Sequence, residues 1–354
     1  MRKLKVGVIG TGSISNIHIQ SYINEELAEL VAFCDIKPGR AEEMAKKYGV
    51  DVKCYEDYHE LLKDENVEAV SICTWNNQHA EIAIAAMKAG KHVLCEKPPA
   101  MRTEQAIEMK KVAEETGKLL MIGFVRRFGK DAETALDLIQ SGILGDIYYA
   151  KTSCIRRRGN PGGWFSDKKR SGGGPLLDLG VHMIDLARYL MGKPKPVTVT
   201  GSTFYGIGMD EGVKNYTWYR SADFSPESDV EDMATAYIRF DGGQTLNVET
   251  SFSQNIEKDI LTLEIYGTKG GMRIYPDLKI FTKTEGYLTD ITPIVSFGDN
   301  LFTEMFKGEI HHFVEHALNN DPNCRNMPED GVAIMQILNA VYESAEKKRE
   351  IVIE

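Results

Sequence analysis

A glycine-rich loop near the start of the chain constrains its fold more than any other feature of the sequence. The loop, Gly10-Thr11-Gly12-Ser13-Ile14-Ser15, directly follows an apolar run and opens a helical pattern. Glycines in such a loop permit a tight turn and let a pyrophosphate approach backbone N–H groups at a helix N-terminus. A small serine, Ser15, takes the third glycine position of the G-x-G-x-x-G pattern. An ordinary strand-to-helix turn would also fit, but the setting favours a dinucleotide site formed by Gly10, Gly12, Ser13 and Ile14.

Short β-branched runs alternate with amphipathic helical stretches over the first part of the chain. This alternation is typical of parallel strands that are joined by crossover helices. Helical stretches such as Arg40–Tyr48 and Gln78–Ala89 are followed by the glycines that commonly end helices. We therefore predict a doubly wound parallel sheet of the Rossmann type in residues 1–124. Its predicted strands are Lys5–Ile9, Leu30–Cys34, Ala69–Thr74, His92–Glu96 and Leu119–Phe124.

The alternating rhythm is lost after about residue 127, and a second domain is predicted for residues 125–354. A chain of 354 residues exceeds the usual size of one hydrophobic core, so two domains are expected. Strand patterns with tight turn signals between Val197 and Phe281 indicate antiparallel pairing. The other predicted elements are a strand at Ile147–Ile155 and helices at Asp131–Ser141, Leu176–Leu190, Thr303–Leu318 and Asp330–Lys347. This part of the chain is predicted to be an α+β domain.

Charge and cysteine content exclude several classes of function. The chain has 42 basic and 52 acidic side chains and a formal net charge of -10, which argues against nucleic-acid binding. No apolar run reaches the roughly 18 residues that a membrane span needs, and the chain starts on a strand pattern rather than a signal peptide. The six cysteines are scattered without a C-x-x-C pair, which suits reduced thiols. We expect a cytoplasmic protein with no membrane partner.

An aspartate at the end of the second predicted strand indicates which cofactor the loop binds. Asp35 lies 25 residues after Gly10, where a carboxylate can accept hydrogen bonds from a ribose diol and repel a 2′-phosphate. This position favours NAD over NADP. The nearby cations Lys37 and Arg40 favour the opposite choice, since a cation accommodates that phosphate.

A polar segment, Thr74 to His79, follows the strand Ala69–Thr74. Ligands of open α/β sheets bind along the carboxyl edge of the strands, so Thr74, Asn76 and His79 are candidates for cofactor contacts. The alternative is structural, with Asn76 capping the following helix and His79 exposed on its first turn. The sequence leaves both open.

A lysine at the end of the next strand is the strongest candidate for chemistry. The run Glu96-Lys97-Pro98 ends an apolar strand, which places Lys97 at the edge where the nicotinamide end of a cofactor would lie. A lysine at a strand end often extends into solvent, here with Glu96 as a partner. The fixed edge position and the following proline favour the functional interpretation.

A second cluster, Gly172-Gly173-Gly174-Pro175 with the helical pattern after it, carries a histidine and aspartates. Pro175 suits a first helical turn, so Asp178 and His182 would share one helix face, with Asp185 a further turn along. A structural alternative is that Asp178 complements the helix dipole and His182 packs in an interface. Gly180 within the helix costs about 1 kcal/mol relative to alanine, which suggests a close neighbour.

Runs of arginine and lysine are candidates for binding the substrate. Two adjacent arginines, Arg126 and Arg127, follow the last predicted parallel strand, and Arg157 precedes a glycine loop that contains Trp164. Such runs usually form solvated faces or interfaces. Some of them, or Asp185, would instead bind carboxylate, phosphate or polyol groups, with Trp164 as an apolar wall for a sugar ring.

Taken together, these motifs resemble the Gfo/Idh/MocA family, which includes glucose–fructose oxidoreductase and inositol dehydrogenase. The resemblance rests on the glycine loop with Asp35, the segment Thr74–His79, Glu96-Lys97-Pro98 and the Gly172–Asp185 segment, and it covers nearly the whole chain. It implies a C-terminal domain with a large open sheet, homodimers or homotetramers, and NAD(P)-dependent oxidation of sugars or cyclitols. Trp75 departs from the family pattern, since many members have proline there.

The resemblance also implies roles for individual residues. Lys97, Asp178 and His182 match the family's catalytic positions, and Glu96 and Lys97 join the cofactor contacts. The resemblance allows a cis bond between Lys97 and Pro98. His182, with an unperturbed pKa of about 6.5, would take the proton of a secondary alcohol while Lys97 stabilises the charge on the same oxygen. In the reversed assignment, a deprotonated Lys97 is the base.

Three other functions are compatible with parts of the sequence. The segment His312-Phe313-Val314-Glu315-His316 spells the H-x-x-E-H pattern of inverted zinc peptidases, but no third ligand is distinguishable, and we predict no metal site. Some relatives use transient substrate oxidation, so an NAD-dependent glycoside hydrolase or lyase is an alternative. A non-catalytic NAD-sensing regulator is another, and the intact Lys97, Asp178 and His182 argue against it.

Overall fold

The structure, a computed structural model, describes residues 2–207, 213–214, 216–295 and 300–353. Within these residues the chain forms two units. The first comprises residues 2–129 and 300–332, and the second comprises the described residues between 130 and 295 together with 333–353. This division differs from the predicted one in two ways: the first unit continues to residue 129, and it includes a segment from near the end of the sequence.

A six-stranded parallel sheet forms the centre of the first unit, and the sequence predicted a parallel sheet with five of these strands. The strand order is β3-β2-β1-β4-β5-β6. The chain adds β2 and β3 on one side of β1 and then adds β4 on its other side, so the switch point lies between β1 and β4, where open α/β sheets bind ligands. Strands β4, β5 and β6 are buried along their whole length, which explains their continuous apolar sequences. The prediction missed the short third strand. The strands are β1 (Leu4–Ile9), β2 (Ala28–Cys34), β3 (Lys53–Tyr55), β4 (Ala69–Ile72), β5 (His92–Glu96) and β6 (Leu120–Gly123).

Five helices connect these strands. Helix α1 starts directly after the glycine loop and buries Ser15, His18, Ile19 and Tyr22, which are spaced to share one face. Gly49 ends α2 in the left-handed conformation that the sequence pattern predicts. The helices are α1 (Ser15–Ile23), α2 (Arg40–Tyr48), α3 (Tyr58–Lys63), α4 (Asn76–Lys88) and α5 (Thr103–Thr116).

A mixed, mostly antiparallel sheet of nine strands dominates the second unit. The strand order is β14-β13-β12-β11-β7-β10-β9-β8-β15, and among these neighbours β7 and β10 form the parallel pair. The helices here are α6 (Lys130–Gln140), α7 (Lys168–Ser171) and α8 (Val181–Leu190). The strands are β7 (Ile147–Ile155), β8 (Pro196–Phe204), β9 (Met233–Phe240), β10 (Thr245–Ser251), β11 (Ile260–Gly267), β12 (Gly271–Tyr275), β13 (Lys279–Thr284), β14 (Tyr287–Ile291) and β15 (Ile351–Val352).

One face of this second sheet carries the helices. Along β9, buried Ala234, Ala236 and Ile238 alternate with more exposed residues such as Tyr237. Helix α8 packs on β7 and β11, and the turn before it packs on β10. The sheet therefore fixes the position of the helix that carries His182.

Two long helices lie between β14 and β15 in sequence, α9 (Leu301–Asn319) and α10 (Pro328–Lys347). Helix α9 packs on α1, on β1 and on the short 3-10 turn Val125–Phe128. Its Ile310, Phe313 and Val314 belong to the same buried cluster as Leu4 and Val6 of β1. This shared core is the reason why residues 300–332 belong to the first unit. In the part of the chain that the structure describes, none of the helices is long and apolar enough to cross a membrane.

Candidate active site

The glycine loop has the geometry of a nucleotide-binding turn. Gly10 has a φ of +88°, and an added Cβ would lie 2.6 Å from the carbonyl oxygen of Cys73, so only glycine fits. At Gly12 an added Cβ would meet nothing within 4 Å, which leaves open space beside the loop. Ser15 is buried, and its hydroxyl donates to the Gly12 carbonyl oxygen at 2.7 Å. The serine that replaces the third glycine therefore fastens the loop.

Asp35 is fixed beside this loop by three hydrogen bonds. Its Oδ2 accepts from the backbone N–H of Thr11 at 2.8 Å and from the Thr11 hydroxyl at 2.9 Å. Its Oδ1 accepts from the backbone N–H of Lys37 at 2.9 Å. The carboxylate is almost buried, and the Nε of Arg40 lies 4.0 Å from Oδ2. A carboxylate held in this way is preorganised to accept hydrogen bonds from a sugar hydroxyl.

A cleft of about 230 Å³ opens beside the loop. Two cationic side chains, Arg40 and Lys47, contribute to its wall, and Ser13, a predicted cofactor contact, is exposed there. The side chain of Ile14 is partly buried and packs against the apolar core of this unit. These residues fit the phosphates and ribose of a dinucleotide. The cleft is lined by Thr11, Gly12, Ser13, Asn16, Arg40, Glu43, Met44 and Lys47.

His79 is buried under the edge of the sheet. Its Nδ1 lies 2.7 Å from the Pro98 carbonyl oxygen, and its Nε2 lies 3.2 Å from the Thr74 carbonyl oxygen. Burial lowers the pKa of His79, and the shorter distance indicates that Nδ1–H donates to Pro98. Both nitrogens face the protein backbone, so the structure supports neither an exposed first-turn histidine nor a direct cofactor contact. Asn76 begins α4 and is nearly buried.

Lys97 lies directly after β5, at the carboxyl edge of the parallel sheet. The side chain is partly buried, and the Lys97–Pro98 peptide bond is cis, as the resemblance allows. The backbone N–H of Lys97 donates to Oε2 of Glu96 at 3.1 Å. Glu96 was predicted as a cofactor contact, but its side chain is buried and faces the protein interior.

A buried polar network that sequence reasoning missed surrounds Glu96. Nε2 of His18 lies 2.7 Å from Oε1 of Glu96, and Nδ1 of His18 lies 3.2 Å from the hydroxyl of Ser71. The hydroxyl of Tyr22 lies 3.0 Å from the same serine oxygen. Burial opposes a charge on His18, but its neighbours Cys73 and Glu96 outweigh this effect and raise the pKa of His18. Burial also opposes the carboxylate, yet the bond from His18 keeps the pKa of Glu96 below its usual value.

In the second unit, the helix that was predicted to carry Asp178 and His182 begins with a π-helical turn. This turn spans Leu176–Gly180 and continues into α8, whereas the sequence pattern predicts one regular α-helix. The turn carries Asp178, and α8 carries His182, and both side chains are partly buried. An added Cβ at Gly180 would lie 3.2 Å from the side chain of Leu176 and 3.4 Å from that of Thr250 on β10, so the glycine is packed closely on both sides. Single π turns within helices frequently occur at functional sites.

A buried glutamate holds the glycine loop that precedes this turn. Glu231 accepts hydrogen bonds from the backbone N–H of Gly174 at 3.0 Å, from that of Leu176 at 3.2 Å, and from the Tyr342 hydroxyl at 2.9 Å. An added Cβ at Gly173 would lie 2.0 Å from the Tyr342 hydroxyl oxygen, so this position of the loop requires glycine. Burial raises the pKa of Glu231 despite these donors. The sequence contains no local signal for this role.

Arg127, a candidate for substrate binding, has a different role in the structure. Its guanidinium is fully buried and donates to Asp330 Oδ2 and to the carbonyl oxygen of Arg325, each at 2.8 Å. The Phe124 ring lies 5.2 Å from the guanidinium carbon. These contacts tie the end of the parallel sheet to the start of α10 and leave Arg127 no access to a ligand.

The other predicted substrate residues vary in exposure. Arg126 is partly buried, and Asp185 is buried on α8. Arg157 is exposed, and its guanidinium donates to the Glu257 carbonyl oxygen at 2.7 Å. Trp164 is partly buried and packs against Phe165, with ring centroids 4.0 Å apart. Arg126, Arg157 and Trp164 remain candidates, whereas the burial of Asp185 does not favour contact with a substrate.

The H-x-x-E-H segment lies on α9, and its contacts are structural. Nε2 of His312 accepts the backbone N–H of Arg325 at 2.8 Å, which occupies a lone pair that a metal would need. The rings of His312 and His316 pack with centroids 4.2 Å apart, and Glu315 lies 3.4 Å from His311. Among the described residues, no group of three or more His, Cys, Asp or Glu side chains has the arrangement of a metal site.

Comparison with known proteins agrees with these features. Residues 4–124 match the model of the oxidoreductase family with the NAD-binding Rossmann fold. Residues 132–273 match the GFO/IDH/MocA C-terminal domain. The predicted resemblance to this family is therefore confirmed in both domains.

Individual relatives are dehydrogenases that match over nearly the full chain. The D-glucoside 3-dehydrogenase of Escherichia coli (strain K12) is 35% identical over 97% of this chain and 95% of its own. The myo-inositol 2-dehydrogenase of Thermotoga maritima is 29% identical, with 99% of both chains covered. A solved levoglucosan dehydrogenase in complex with NADH has a TM-score of 0.85 and 25% identity, with both chains fully covered. The chain therefore belongs to the Gfo/Idh/MocA family of NAD-binding oxidoreductases.

Proposed function

We propose that this enzyme transfers a hydride between NAD and a secondary alcohol or ketone of a sugar, a cyclitol or a sugar derivative. The observation that carries the proposal is the position of Lys97. Lys97 directly follows β5, which is the neighbour of β4 in the sheet. Strand β1, on the other side of β4, leads into the glycine loop. A lysine there is suited to act near the reactive end of a dinucleotide that starts at the loop. The names of the relatives, which act on a glucoside, an inositol and levoglucosan, support this substrate class.

NAD is the proposed cofactor, and NADP the less favoured one. Asp35 presents an oriented, nearly buried carboxylate beside the loop, and this charge disfavours a 2′-phosphate. Arg40 and Lys47 in the same cleft act in the opposite direction. Asp35 outweighs them because its three hydrogen bonds to the protein fix its position, whereas Arg40 and Lys47 are long and flexible.

The catalytic roles are assigned to Lys97, Asp178 and His182. When bound, the nicotinamide supplies the hydride acceptor. His182 takes the proton of the substrate hydroxyl, since imidazole titrates near working pH. Lys97 donates a hydrogen bond to the reacting oxygen and stabilises its developing charge. Asp178 orients the substrate or the imidazole. In the alternative assignment, Lys97 is the base. The kinetics of single variants of Lys97 and His182 distinguish the two assignments.

A substrate screen tests this proposal. The enzyme is mixed with NAD or NADP and a panel of cyclitols, aldoses, uronates and anhydrosugars, and reduced cofactor is measured by absorbance. We expect steady NADH formation with at least one polyol. Product formation without net NADH would instead support the alternative of transient oxidation followed by elimination.

The His182→Ala variant tests the role of the histidine. We expect its turnover to fall by about 10² to 10⁴-fold, since a general base contributes a factor of this size, while its affinity for NADH stays within about twofold. NADH affinity, measured by fluorescence titration, serves as the control for correct folding of the nucleotide site. Turnover close to that of the wild type would remove His182 from the role of base.

We also propose that the enzyme forms homodimers or homotetramers. Large apolar side chains are exposed on strands of the second unit, including Phe204, Tyr237, Phe281 and Leu288. Exposed apolar patches on sheets commonly mark protein interfaces. Light scattering of the purified protein measures the assembly directly.

A further inference from the structure

A buried ion pair connects the helix after the glycine loop to the strand that ends before Lys97. His18 lies on α1 with no exposed surface, and its Nε2 lies 2.7 Å from Oε1 of Glu96. The other oxygen of Glu96 accepts the backbone N–H of Lys97 at 3.1 Å. One carboxylate thus bridges His18 and the peptide group of Lys97.

The surrounding residues fix the imidazole ring as well. Nδ1 of His18 lies 3.2 Å from the hydroxyl of Ser71 on β4, and that hydroxyl is also 3.0 Å from the hydroxyl of Tyr22. The ring of Phe306 on α9 packs edge-on against the imidazole, with centroids 5.4 Å apart. The orientation of His18 is therefore set by contacts with β4 and α9, and His18 in turn holds Glu96.

Stability alone is a weak explanation for this pair. Replacing a buried ion pair by well-packed apolar residues is often neutral or stabilising, because burial of the charges offsets their attraction. A buried pair is better explained where a defined geometry is needed. Here Glu96 directly precedes Lys97, and α1 directly follows the loop at which the phosphates would bind. The pair thus links the elements that carry these two parts of the proposed site.

We propose that His18 is a positioning residue for Lys97, acting through the bridging carboxylate of Glu96. This inference rests on the proposed function, in which the Lys97 ammonium contacts the reacting oxygen. His18 itself touches neither substrate nor cofactor. Without it, Glu96 loses its fixed orientation, and the backbone of Lys97 loses the acceptor that holds it at the strand end.

The test compares three variants of the full-length enzyme. His18→Leu removes the donor to Glu96, and His18→Gln keeps an amide N–H that reaches the same oxygen. Tyr22→Phe is the matched control, because it removes a hydroxyl from the same buried network without touching Glu96. We expect kcat to fall at least about tenfold in His18→Leu, to recover most of its value in His18→Gln, and to stay within about twofold in Tyr22→Phe. The NADH dissociation constant should stay within about threefold throughout.

Equal kcat values in His18→Leu and Tyr22→Phe would overturn the inference. Should the leucine variant fail to fold, His18→Ala replaces it with the same expected loss, since it also removes the donor. A wild-type enzyme that shows no turnover with any sugar or cyclitol would refute the proposed function instead. The inference is then decided by crystal structures of the wild type and His18→Leu. A displacement of the Lys97 side chain by about 1 Å or more supports the inference, and an unmoved Lys97 refutes it.

Discussion

Exchanging Asp35 for asparagine changes the cofactor site by one charge while keeping the shape of the side chain. The carboxylate accepts two hydrogen bonds from Thr11 and one from Lys37, so its orientation is determined by the protein before any cofactor binds. The amide of asparagine keeps one acceptor oxygen. Its NH₂ group faces an N–H donor on the other side, so one of the three bonds is lost.

The size of the effect follows from two contributions. A hydrogen bond from a ribose hydroxyl to a carboxylate contributes roughly 1.5–3 kcal/mol, and about 1.4 kcal/mol corresponds to tenfold in affinity. The affinity for NADH should therefore fall by about tenfold or more. Removing the negative charge also removes the electrostatic repulsion between Asp35 and a 2′-phosphate. The energy of this repulsion is a few kcal/mol at most at an effective dielectric constant of about 20. We expect the ratio of NADPH to NADH affinity to rise by about 100-fold.

Fluorescence titration of NADH and NADPH measures both affinities and needs no knowledge of the substrate. The matched control is Arg40→Gln, since Arg40 lies 4.0 Å from Asp35 and lines the same cleft. This variant should weaken NADPH and leave NADH nearly unchanged, the opposite pattern. Thermal unfolding without cofactor shows whether the lost bond has affected folding. An affinity ratio that Asp35→Asn leaves within twofold of the wild type would refute the assignment of Asp35 to the ribose.

Two further predictions concern stability. Arg127→Met leaves Asp330 buried without its cation and should lower the free energy of unfolding by about 3–5 kcal/mol in urea denaturation, and the double variant with Asp330→Leu should recover part of the loss. An unchanged urea midpoint in the single variant would contradict the buried pairing. Because burial raises the pKa of Glu231, the folded state holds its proton more tightly than the unfolded state, so the wild type loses stability as pH rises above the ordinary value of 4.5. Glu231→Gln should lack this loss, and melting temperatures across a pH series compare the two; parallel curves would show that Glu231 does not titrate in this way.

Local sequence signals predicted much of the first unit. Glycine, strand and helix patterns are short-range features, and they located the loop, five of the six parallel strands and the starts of α1, α2 and α4 to within a few residues. The rule that parallel strands end at one edge then placed Gly10, Asp35 and Lys97 at the same edge of the sheet, where the structure has them. The three-residue strand Lys53–Tyr55 was too short to show a pattern.

The structural features that the sequence analysis did not predict depend mostly on contacts between residues far apart in sequence. His18 and Glu96 are 78 residues apart, and Arg127 and Asp330 are 203 apart, so no window of sequence contains either pair. For His18 a signal did exist, because it shares the spacing of the buried face of α1 and is polar there. For Glu231 there was none. The π turn before α8 also escaped, since its residues fit an α-helix equally well by propensity.

The return of α9 to the parallel-sheet unit has a consequence for how the protein folds during synthesis. The apolar cluster around β1 is completed by three residues of α9, Ile310, Phe313 and Val314. The parallel sheet leaves the ribosome first, so it lacks part of its core until α9 has been synthesised. Its exposed apolar surface must persist while strands β7 to β14 of the second sheet are translated. A polypeptide released early, before α9, would be an aggregation-prone fragment rather than an independent nucleotide-binding domain.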